Sequence, residues 1–247
     1  MKNTMTVKGI MFDKDGTILD FNRLWTGITQ SVAENICERY VNDNLFAKNI
    51  LTPDMIKSEL GIKNGNIDGK SPLAYMTYIQ MADIIYDKYA DIIPDTKMCF
   101  EKIFEEEYEK IFEYEEYECI PTCNIKELFK ELKSKNIKIG LATADNRNIT
   151  EKCLKKMGIY ECFDYIGCDD GKVNPKPCTD MFDIFSQKYG LKNNEVIICG
   201  DTVNDMIFAK NCNAIAVAVL CGLGKYDEIK DLAEYVIDSP KEITKYI

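Results

Sequence analysis

Near its start the chain contains the run Val7-Lys-Gly-Ile-Met-Phe-Asp-Lys-Asp-Gly-Thr-Ile-Leu19. Its apolar first half ends abruptly in charge, which predicts a buried strand that ends at Phe12. In an extended segment, side chains two residues apart point the same way, so Asp13 and Asp15 face one spot and Lys14 faces elsewhere. The two carboxylates repel each other, and a cation would relieve that repulsion. The run therefore predicts either a cation site at the end of a strand or a plain acidic turn.

The chain beyond this run, at 22–118, has the pattern of a helical insertion. One amphipathic helix is indicated by apolar residues at helical spacing, namely Phe100, Ile103, Phe104, Tyr108, Ile111 and Phe112. A further helix is predicted at 72–89, and the glycine-rich stretch 61–69 is predicted to be a flexible loop. Residues 20–118 hold twenty acidic and ten basic side chains, whereas the rest of the chain holds twenty-one of each. This shift in composition predicts a separate domain at 20–118.

From residue 119 onwards, strand and helix patterns alternate. Strands are predicted at 137–143, 163–168, 196–200, 214–220 and 235–237. Helices are predicted at 125–132, 149–157, 181–189 and 203–210. Such alternation predicts right-handed crossovers and a parallel sheet that is covered on both faces. The predicted fold class is therefore α/β, a Rossmann-like doubly wound parallel sheet from residues 1–19 and 119–247, interrupted by an all-helical domain.

The composition excludes several kinds of site. The chain has no histidine, which excludes Ser-His-Asp and Cys-His catalytic pairs and histidine-ligated metals. Any bound metal is therefore expected to be a hard cation held by oxygen atoms. The eleven cysteines form no C-x-x-C pair, and we interpret them as reduced thiols of a cytoplasmic protein. The net charge of −10 argues against nucleic acid or an anionic membrane as a partner, and no apolar stretch is long enough to span a bilayer.

Polar residues follow four of the predicted strands. The four groups are Asp13 with Asp15, Thr143-Ala-Asp-Asn-Arg147, Asn174-Pro-Lys-Pro177 and Gly200-Asp-Thr-Val-Asn-Asp205. Because ligands of open parallel sheets bind beyond the carboxyl ends of the strands, this placement points to a site.

Each of the later groups also has an ordinary interpretation. Asp145 or Asn148 would cap the next helix, and Lys176 would be a surface lysine. Thr202 and Asp205 would form a capping box at the start of a helix. Taken together and in this order, the groups favour a shared site over independent coincidences.

The order Asp-x-Asp-Gly-Thr, Thr, Lys-Pro and Gly-Asp-x-x-x-Asp resembles the haloacid dehalogenase superfamily of phosphatases over essentially the whole chain. The resemblance implies that the helical insertion is the cap domain of the phosphoglycolate-phosphatase-like branch, and that Mg²⁺ is the cofactor. It implies that Asp13 is the nucleophile, which forms an aspartyl-phosphate, and that Asp15 is the general acid and base. The implied metal ligands are Asp13, Asp15 through its backbone carbonyl, Asp201 and Asp205, the last directly or through water. The implied phosphate-binding residues are Thr143, Ala144 and Lys176.

The function implied by this resemblance is a Mg²⁺-dependent phosphatase. Its partner would be a small phosphorylated metabolite, a phosphate monoester of the phosphoglycolate or sugar-phosphate type. A sugar-phosphate mutase of the β-phosphoglucomutase kind uses the same core residues and is the alternative. A non-catalytic phosphate-binding regulator would have lost one of the key residues, and all of them are present. The sequence leaves the physiological ester and the oligomeric state open.

Overall fold

Strands and helices alternate along most of the chain. The computed structural model describes residues 6–41, 47–114 and 117–247. In chain order the elements are β1 (Gly9–Phe12), α1 (Phe21–Val41), α2 (Pro53–Glu59), β2 (Ile62–Lys63), β3 (Asn66–Ile67), α3 (Pro72–Tyr75), α4 (Tyr78–Tyr89), α5 (Lys97–Glu113), α6 (Ile125–Ser134), β4 (Lys138–Ala142), α7 (Arg147–Lys156), β5 (Tyr165–Gly167), α8 (Asp180–Tyr189), β6 (Val196–Gly200), α9 (Val203–Asn211), β7 (Ile215–Val219), α10 (Tyr226–Ile229) and β8 (Tyr235–Ile237). Short 3₁₀ turns lie at Ala47–Asn49, Tyr160–Cys162, Asn193–Glu195 and Pro240–Tyr246.

Six of the strands form one parallel sheet in the order β5-β4-β1-β6-β7-β8. The chain order reverses at β1, because β4 and β5 lie on one side of it and β6, β7 and β8 on the other. Phe12 is level with Leu141 of β4 and with Cys199 of β6. The segments that follow these three strands therefore meet at one edge of the sheet. The α/β, Rossmann-like doubly wound sheet predicted from the sequence is confirmed.

Helices cover both faces of this sheet. Met11 and Phe12 of β1 are fully buried. Met11 lies in a core cluster with Phe182 and Phe185 of α8, whereas the ring of Phe12 lies 5.4 Å from that of Phe129 in α6. Because consecutive side chains of a strand point to opposite faces, α6 and α8 cover opposite faces of the sheet. Burial on both sides explains why the strands are apolar throughout and not alternating.

The chain divides into two compact units. The first runs up to Phe21 and resumes at Cys119, and the second is Asn22–Glu118. The first unit holds the six-stranded sheet. Where the chain leaves this unit and returns to it, the N–H of Asp20 donates to the carbonyl of Ile120 at 2.8 Å.

Two predictions for the inserted unit are wrong. The stretch 61–69, predicted as a flexible loop, contains the antiparallel hairpin of β2 and β3, in which Asn64 and Gly65 both have positive φ. An Asn-Gly pair in this conformation is the usual turn of a two-residue hairpin. The single helix predicted at 72–89 is two helices, because Thr77 has an extended backbone and caps the start of α4. Apart from this hairpin, the regular elements described in the unit are helical.

The cysteines and the longest helix bear on two expectations from composition. Each of the eleven cysteines is a free thiol, which agrees with the absence of a disulfide pattern. The helix α1 is 21 residues long, but charged side chains lie along it. Within the described ranges, no helix combines the length and the apolar surface that a membrane span requires.

Candidate active site

The loop after β1 places Asp13 at the carboxyl edge of the sheet. Its N–H donates to the carbonyl of Cys199 at 2.8 Å, so Asp13 continues the ladder between β1 and β6. The chain then turns sharply, and the N–H groups of Ile18 and Leu19 each lie 3.0 Å from the carbonyl of Lys14. This turn satisfies the backbone of the loop.

Gly16 allows this turn to lie directly against the end of β6. Its φ is +81°, a region that favours glycine. A Cβ at this position would lie 2.4 Å from Oδ2 of Asp201. Next to it, Oγ1 of Thr17 donates to Oδ1 of Asp201 at 3.2 Å. The Gly-Thr pair therefore fixes the first carboxylate of the β6 loop relative to the β1 loop.

Lys176 lies between two carboxylates and is not a surface lysine. Its Nζ donates to Oδ1 of Asp13 at 2.6 Å and to Oδ1 of Asp205 at 2.6 Å, and only 5% of its side chain is exposed. Burial alone would lower the pKa of Lys176, but the two aspartates outweigh it and raise this pKa above its ordinary value. Lys176 therefore remains an ammonium ion. Burial raises the pKa of Asp13, and Lys176 opposes that rise.

Asp205 both caps a helix and faces the site. Its Oδ2 accepts from the N–H of Thr202 at 3.1 Å and from Oγ1 of Thr202 at 2.6 Å. Its own N–H donates back to Thr202 Oγ1 at 3.3 Å, which completes a capping box at the start of α9. The capping box anticipated from the sequence is therefore present, and it directs the remaining oxygen, Oδ1, towards Lys176.

Asp201 is held by the loop that follows β7. The N–H of Leu223 donates to its Oδ2 at 2.8 Å, and a Cβ at Gly222 would lie 2.1 Å from that same oxygen. Asp201 is 1% exposed. Burial, followed by the charge of Asp205, raises the pKa of Asp201 to about 7. Sequence reasoning missed this loop, although its glycine-rich sequence directly after a buried strand was a usable signal.

The three carboxylates form a cluster whose donor atoms suit a hard divalent cation. Asp13, Asp201 and Asp205 each offer one oxygen, and these oxygens lie within 4.8 Å of one another. At such separations two like charges repel by about 4 kcal/mol at an effective dielectric constant of 20. The ammonium group of Lys176 partly neutralises the charges of Asp13 and Asp205. No lysine or arginine of the described residues forms an ion pair with Asp201. An all-oxygen, buried and net negative set fits Mg²⁺.

The side chain of Asp15 lies outside this cluster and pairs with Lys14. Oδ2 of Asp15 is 2.8 Å from Nζ of Lys14, and the same Nζ is 2.9 Å from Oδ2 of Asp145. The prediction that Lys14 faces away from Asp15 is wrong, because the strand ladder ends at Asp13 and the chain turns from Lys14 onwards. Burial would lower the pKa of Lys14, but Asp145 and Asp15 hold it well above its ordinary value.

The loop after β4 carries two of the three predicted phosphate-binding residues, Thr143 and Ala144. Thr143 is buried, and its Oγ1 accepts from the N–H of Asp145 at 3.2 Å. Ala144 lies exposed in the bend that follows. The helix cap is Asn146, whose side chain accepts from the N–H of Ile149, so neither Asp145 nor Asn148 has that role. The structure thus brings Asp13, Lys176, Asp201 and Asp205 together, and it links Asp15 to the β4 loop through Lys14.

The family profile for haloacid dehalogenase-like hydrolases matches residues 10–219. The chain belongs to this family. The match spans β1 to the end of β7 and therefore includes the four groups of polar residues that the sequence singled out. The family predicted from the sequence is confirmed, and with it the prediction that the protein is a hydrolase.

Relatives of this haloacid dehalogenase-like hydrolase cover nearly its whole length. A protein named pyrophosphatase PpaX from Bacillus mycoides is 22% identical over 242 residues, which is 97% of this chain and 96% of the relative. Another protein of that name, from Bacillus velezensis, is 24% identical over 86% of this chain and 83% of the relative. Among solved structures, a predicted phosphoglycolate phosphatase from Haemophilus somnus has a TM-score of 0.71 at 16% identity, with 97% of each chain covered. This last likeness shows the shared fold.

Proposed function

We propose that the protein is a Mg²⁺-dependent phosphatase that hydrolyses a small phosphate monoester, of the phosphoglycolate or sugar-phosphate type, through an aspartyl-phosphate on Asp13. The observation that carries this proposal is the position of Asp13. It lies at the carboxyl end of the central strand, its Oδ1 is held by Lys176, and two further buried carboxylates lie beside it. The unit that contains the sheet is, in this proposal, the catalytic core.

The first half of the reaction transfers the phosphoryl group to the enzyme. Oδ2 of Asp13 attacks phosphorus, because Oδ1 is held by Lys176, and the bond between phosphorus and the ester oxygen breaks. Asp15 donates its proton to that leaving oxygen, so the product departs as an alcohol. Lys176, the Thr143 hydroxyl and the backbone N–H of Ala144 bind the phosphoryl oxygens.

The second half restores the enzyme. Water attacks the phosphorus of the aspartyl-phosphate, and Asp15, now a carboxylate, takes the proton of that water. The bond between phosphorus and the Asp13 oxygen breaks, inorganic phosphate leaves and Asp13 is again a carboxylate. Asp13, the backbone carbonyl of Asp15 and Asp201 would hold Mg²⁺, and Asp205, whose two oxygens are engaged by Lys176 and Thr202, would act through water. When bound, Mg²⁺ supplies positive charge that favours the transfer of a phosphoryl group.

The comparisons bear on the choice of substrate. Curated relatives are named as pyrophosphatases, which adds inorganic pyrophosphate to the monoesters that the motifs favour. Both substrate classes place a phosphoryl group on Asp13 and differ in the leaving group. A mutase would use the same first step and would return the phosphoryl group to a sugar and not to water.

The proposal is tested by phosphate release from a panel of substrates in the presence of Mg²⁺. The panel holds phosphoglycolate, hexose 1- and 6-phosphates and inorganic pyrophosphate, and the proteins are wild type, Asp13→Asn and Asp227→Asn. Asp227 is an exposed aspartate that pairs with Lys230, so its variant controls for the loss of one carboxylate. We expect release by wild type and Asp227→Asn and none by Asp13→Asn. Turnover by Asp13→Asn would remove the nucleophile from the proposal, and isomerisation without net phosphate release would assign a mutase.

A further inference from the structure

We propose that Lys14 is a positioning residue, which together with Asp145 holds the proton donor Asp15 in place for the leaving group. This inference rests on the proposed function, because it assigns a task to residues around Asp15. The two ion pairs of Lys14, with Asp15 and with Asp145, are called here the Lys14 clamp. No step in the proposed reaction requires Lys14 to touch the substrate.

The geometry of the clamp is that of a buried bridge between two loops. Nζ of Lys14 is 2.8 Å from Oδ2 of Asp15 and 2.9 Å from Oδ2 of Asp145, and the Lys14 side chain is 0% exposed. The two carboxylates belong to the loops after β1 and after β4, which are neighbouring strands. The ammonium ion therefore ties the proton donor to the loop that carries Thr143.

Lys14 contacts only one of the two carboxylate oxygens of Asp15. Oδ1 of Asp15 is buried and has no hydrogen-bond partner among the described residues, whereas Oδ2 forms the ion pair with Lys14, a contact of charge and not of hydrogen-bond geometry. A buried acceptor without a partner is costly, and such groups are usually satisfied by a ligand or by water. With Oδ2 held by Lys14, Oδ1 is the atom left to carry the proton to the leaving oxygen.

Neither backbone structure nor stability accounts for a lysine at this position. The turn after β1 is made by the carbonyl of Lys14, which accepts from Ile18 and Leu19, and any residue offers that carbonyl. A buried ion pair is weak support for stability, since its desolvation offsets much of its attraction, and apolar replacements are often tolerated. What a rigid ammonium ion adds is a fixed orientation for each carboxylate that it contacts.

The test compares how variants respond to the leaving group. The value of kcat/KM reports only the steps up to departure of the leaving group, which is the stage at which Asp15 acts as an acid. The substrates are p-nitrophenyl phosphate, phenyl phosphate and an alkyl phosphate, whose leaving groups need the proton increasingly. The proteins are wild type, Lys14→Met, Lys14→Gln, Asp145→Asn and Asp15→Asn. Lys8→Met is the matched control, because it also removes a lysine that pairs with a carboxylate. The Lys8 side chain, which pairs with Glu195, is 51% exposed.

For Lys14→Met we expect kcat/KM to fall about 10- to 100-fold more with the alkyl phosphate than with p-nitrophenyl phosphate, the scale of a displaced acid catalyst. Asp15→Asn should show the same trend more strongly. Lys14→Gln, which keeps an N–H donor, should recover part of the loss, and Asp145→Asn should shift the trend less because Lys14 keeps one partner. Lys8→Met should match wild type.

An equal fall with all three substrates, or no fall, in those Lys14 and Asp145 variants that fold would overturn the assignment. If Lys14→Met does not fold, the milder variants Lys14→Gln and Asp145→Asn still provide the test. If wild type releases no phosphate from any substrate, the proposed function fails first. If wild type is active and Asp13→Asn is not, an equal loss of kcat/KM with all three substrates rejects the role of the Lys14 clamp and leaves the proposed function standing.

Discussion

Asp201 is restrained by backbone that approaches too closely to tolerate a side chain. A methyl group at Gly222 would lie 2.1 Å from Oδ2 and 2.4 Å from Cγ of Asp201. We expect Gly222→Ala to displace this carboxylate and to weaken Mg²⁺ binding about 10- to 100-fold, as changes around metal ligands commonly do. Titration of activity and of binding heat with Mg²⁺ measures the effect.

Gly27 provides the matched substitution. A Cβ there would meet no other heavy atom within 4 Å among the described residues, and Gly27 lies inside α1. Gly27→Ala should leave Mg²⁺ affinity unchanged and raise the free energy of unfolding by roughly 0.5–1 kcal/mol, because alanine is the better helix former. Equal Mg²⁺ affinities for Gly222→Ala and Gly27→Ala would show that the loop after β7 does not position Asp201.

The site residues differ in how far the sequence could predict their surroundings. Asp13, Asp201 and Asp205 follow buried apolar strands, and parallel strands bring their carboxyl ends together, so their proximity follows from periodicity. The orientation of Lys14 does not, because the alternation of side chains holds only while the backbone is extended. The ion pair of Asp145 with Lys14 was missed for a related reason. A polar residue before a helix has several local uses, and only the tertiary contact with Lys14 distinguishes them.

Thr202, at the start of α9, both caps the helix and orients a residue of the site. Thr202 caps this helix and holds Oδ2 of Asp205. Thr202→Ala should lower the free energy of unfolding by about 1 kcal/mol, and it should also reduce kcat/KM because Asp205 loses the contact that orients it. Denaturant unfolding and steady-state kinetics provide the two measurements.

A second capping box separates these two effects. Thr77 caps α4 with Gln80 in the same reciprocal arrangement, and it lies in the inserted unit. Thr77→Ala should cost about as much stability, again about 1 kcal/mol, with kcat/KM unchanged. If the two variants lose activity to the same extent, the loss reflects stability and not the orientation of Asp205.

The secondary structure was predictable where one signal dominates. Strands β6 and β8 have the predicted limits because each is a short apolar run between turn residues. The hairpin at 62–67 was missed because glycine spacing was given more weight than the Asn-Gly pair, which is a hairpin signal. The helix at 72–89 was predicted as continuous because a threonine inside a helix is usually only a weak helix former. Here the side chain of Thr77 instead caps the start of α4.

Protonation of the carboxylate cluster should couple metal binding to pH across the protein. The pKa of Asp201 is raised to about 7, so below that pH the metal-free protein holds a proton that Mg²⁺ must displace. For each pH unit below this pKa, removal of the proton from Asp201 weakens the free energy of Mg²⁺ binding by about 1.4 kcal/mol. In the unfolded chain Asp201 ionises near its ordinary value, 3.8. Without metal, this group therefore lowers stability as pH rises from about 4 to 7.

Thermal unfolding with and without Mg²⁺ measures this coupling. We expect Mg²⁺ to raise Tm clearly at about pH 8 and much less at about pH 5.5, because the proton competes with the cation at the lower pH. Asp201→Asn should abolish most of the Mg²⁺-dependent shift at both values. A rise in Tm that is the same at both pH values in wild type would contradict the assignment of Asp201 as a ligand that titrates near neutrality.

The proposed reaction depends on a covalent bond between phosphorus and Asp13. The direct measurement is mass spectrometry of peptides from enzyme quenched in acid during turnover with Mg²⁺ and the best substrate of the panel. We predict one added phosphoryl group on the peptide that contains Asp13, removed by hydroxylamine as an acyl phosphate is, and absent from Asp13→Asn. Single-turnover hydrolysis in ¹⁸O-water that places no label in the Asp13 carboxyl is also expected, since water attacks phosphorus. A phosphoryl group found on another residue, or rapid turnover by Asp13→Asn, would contradict the account.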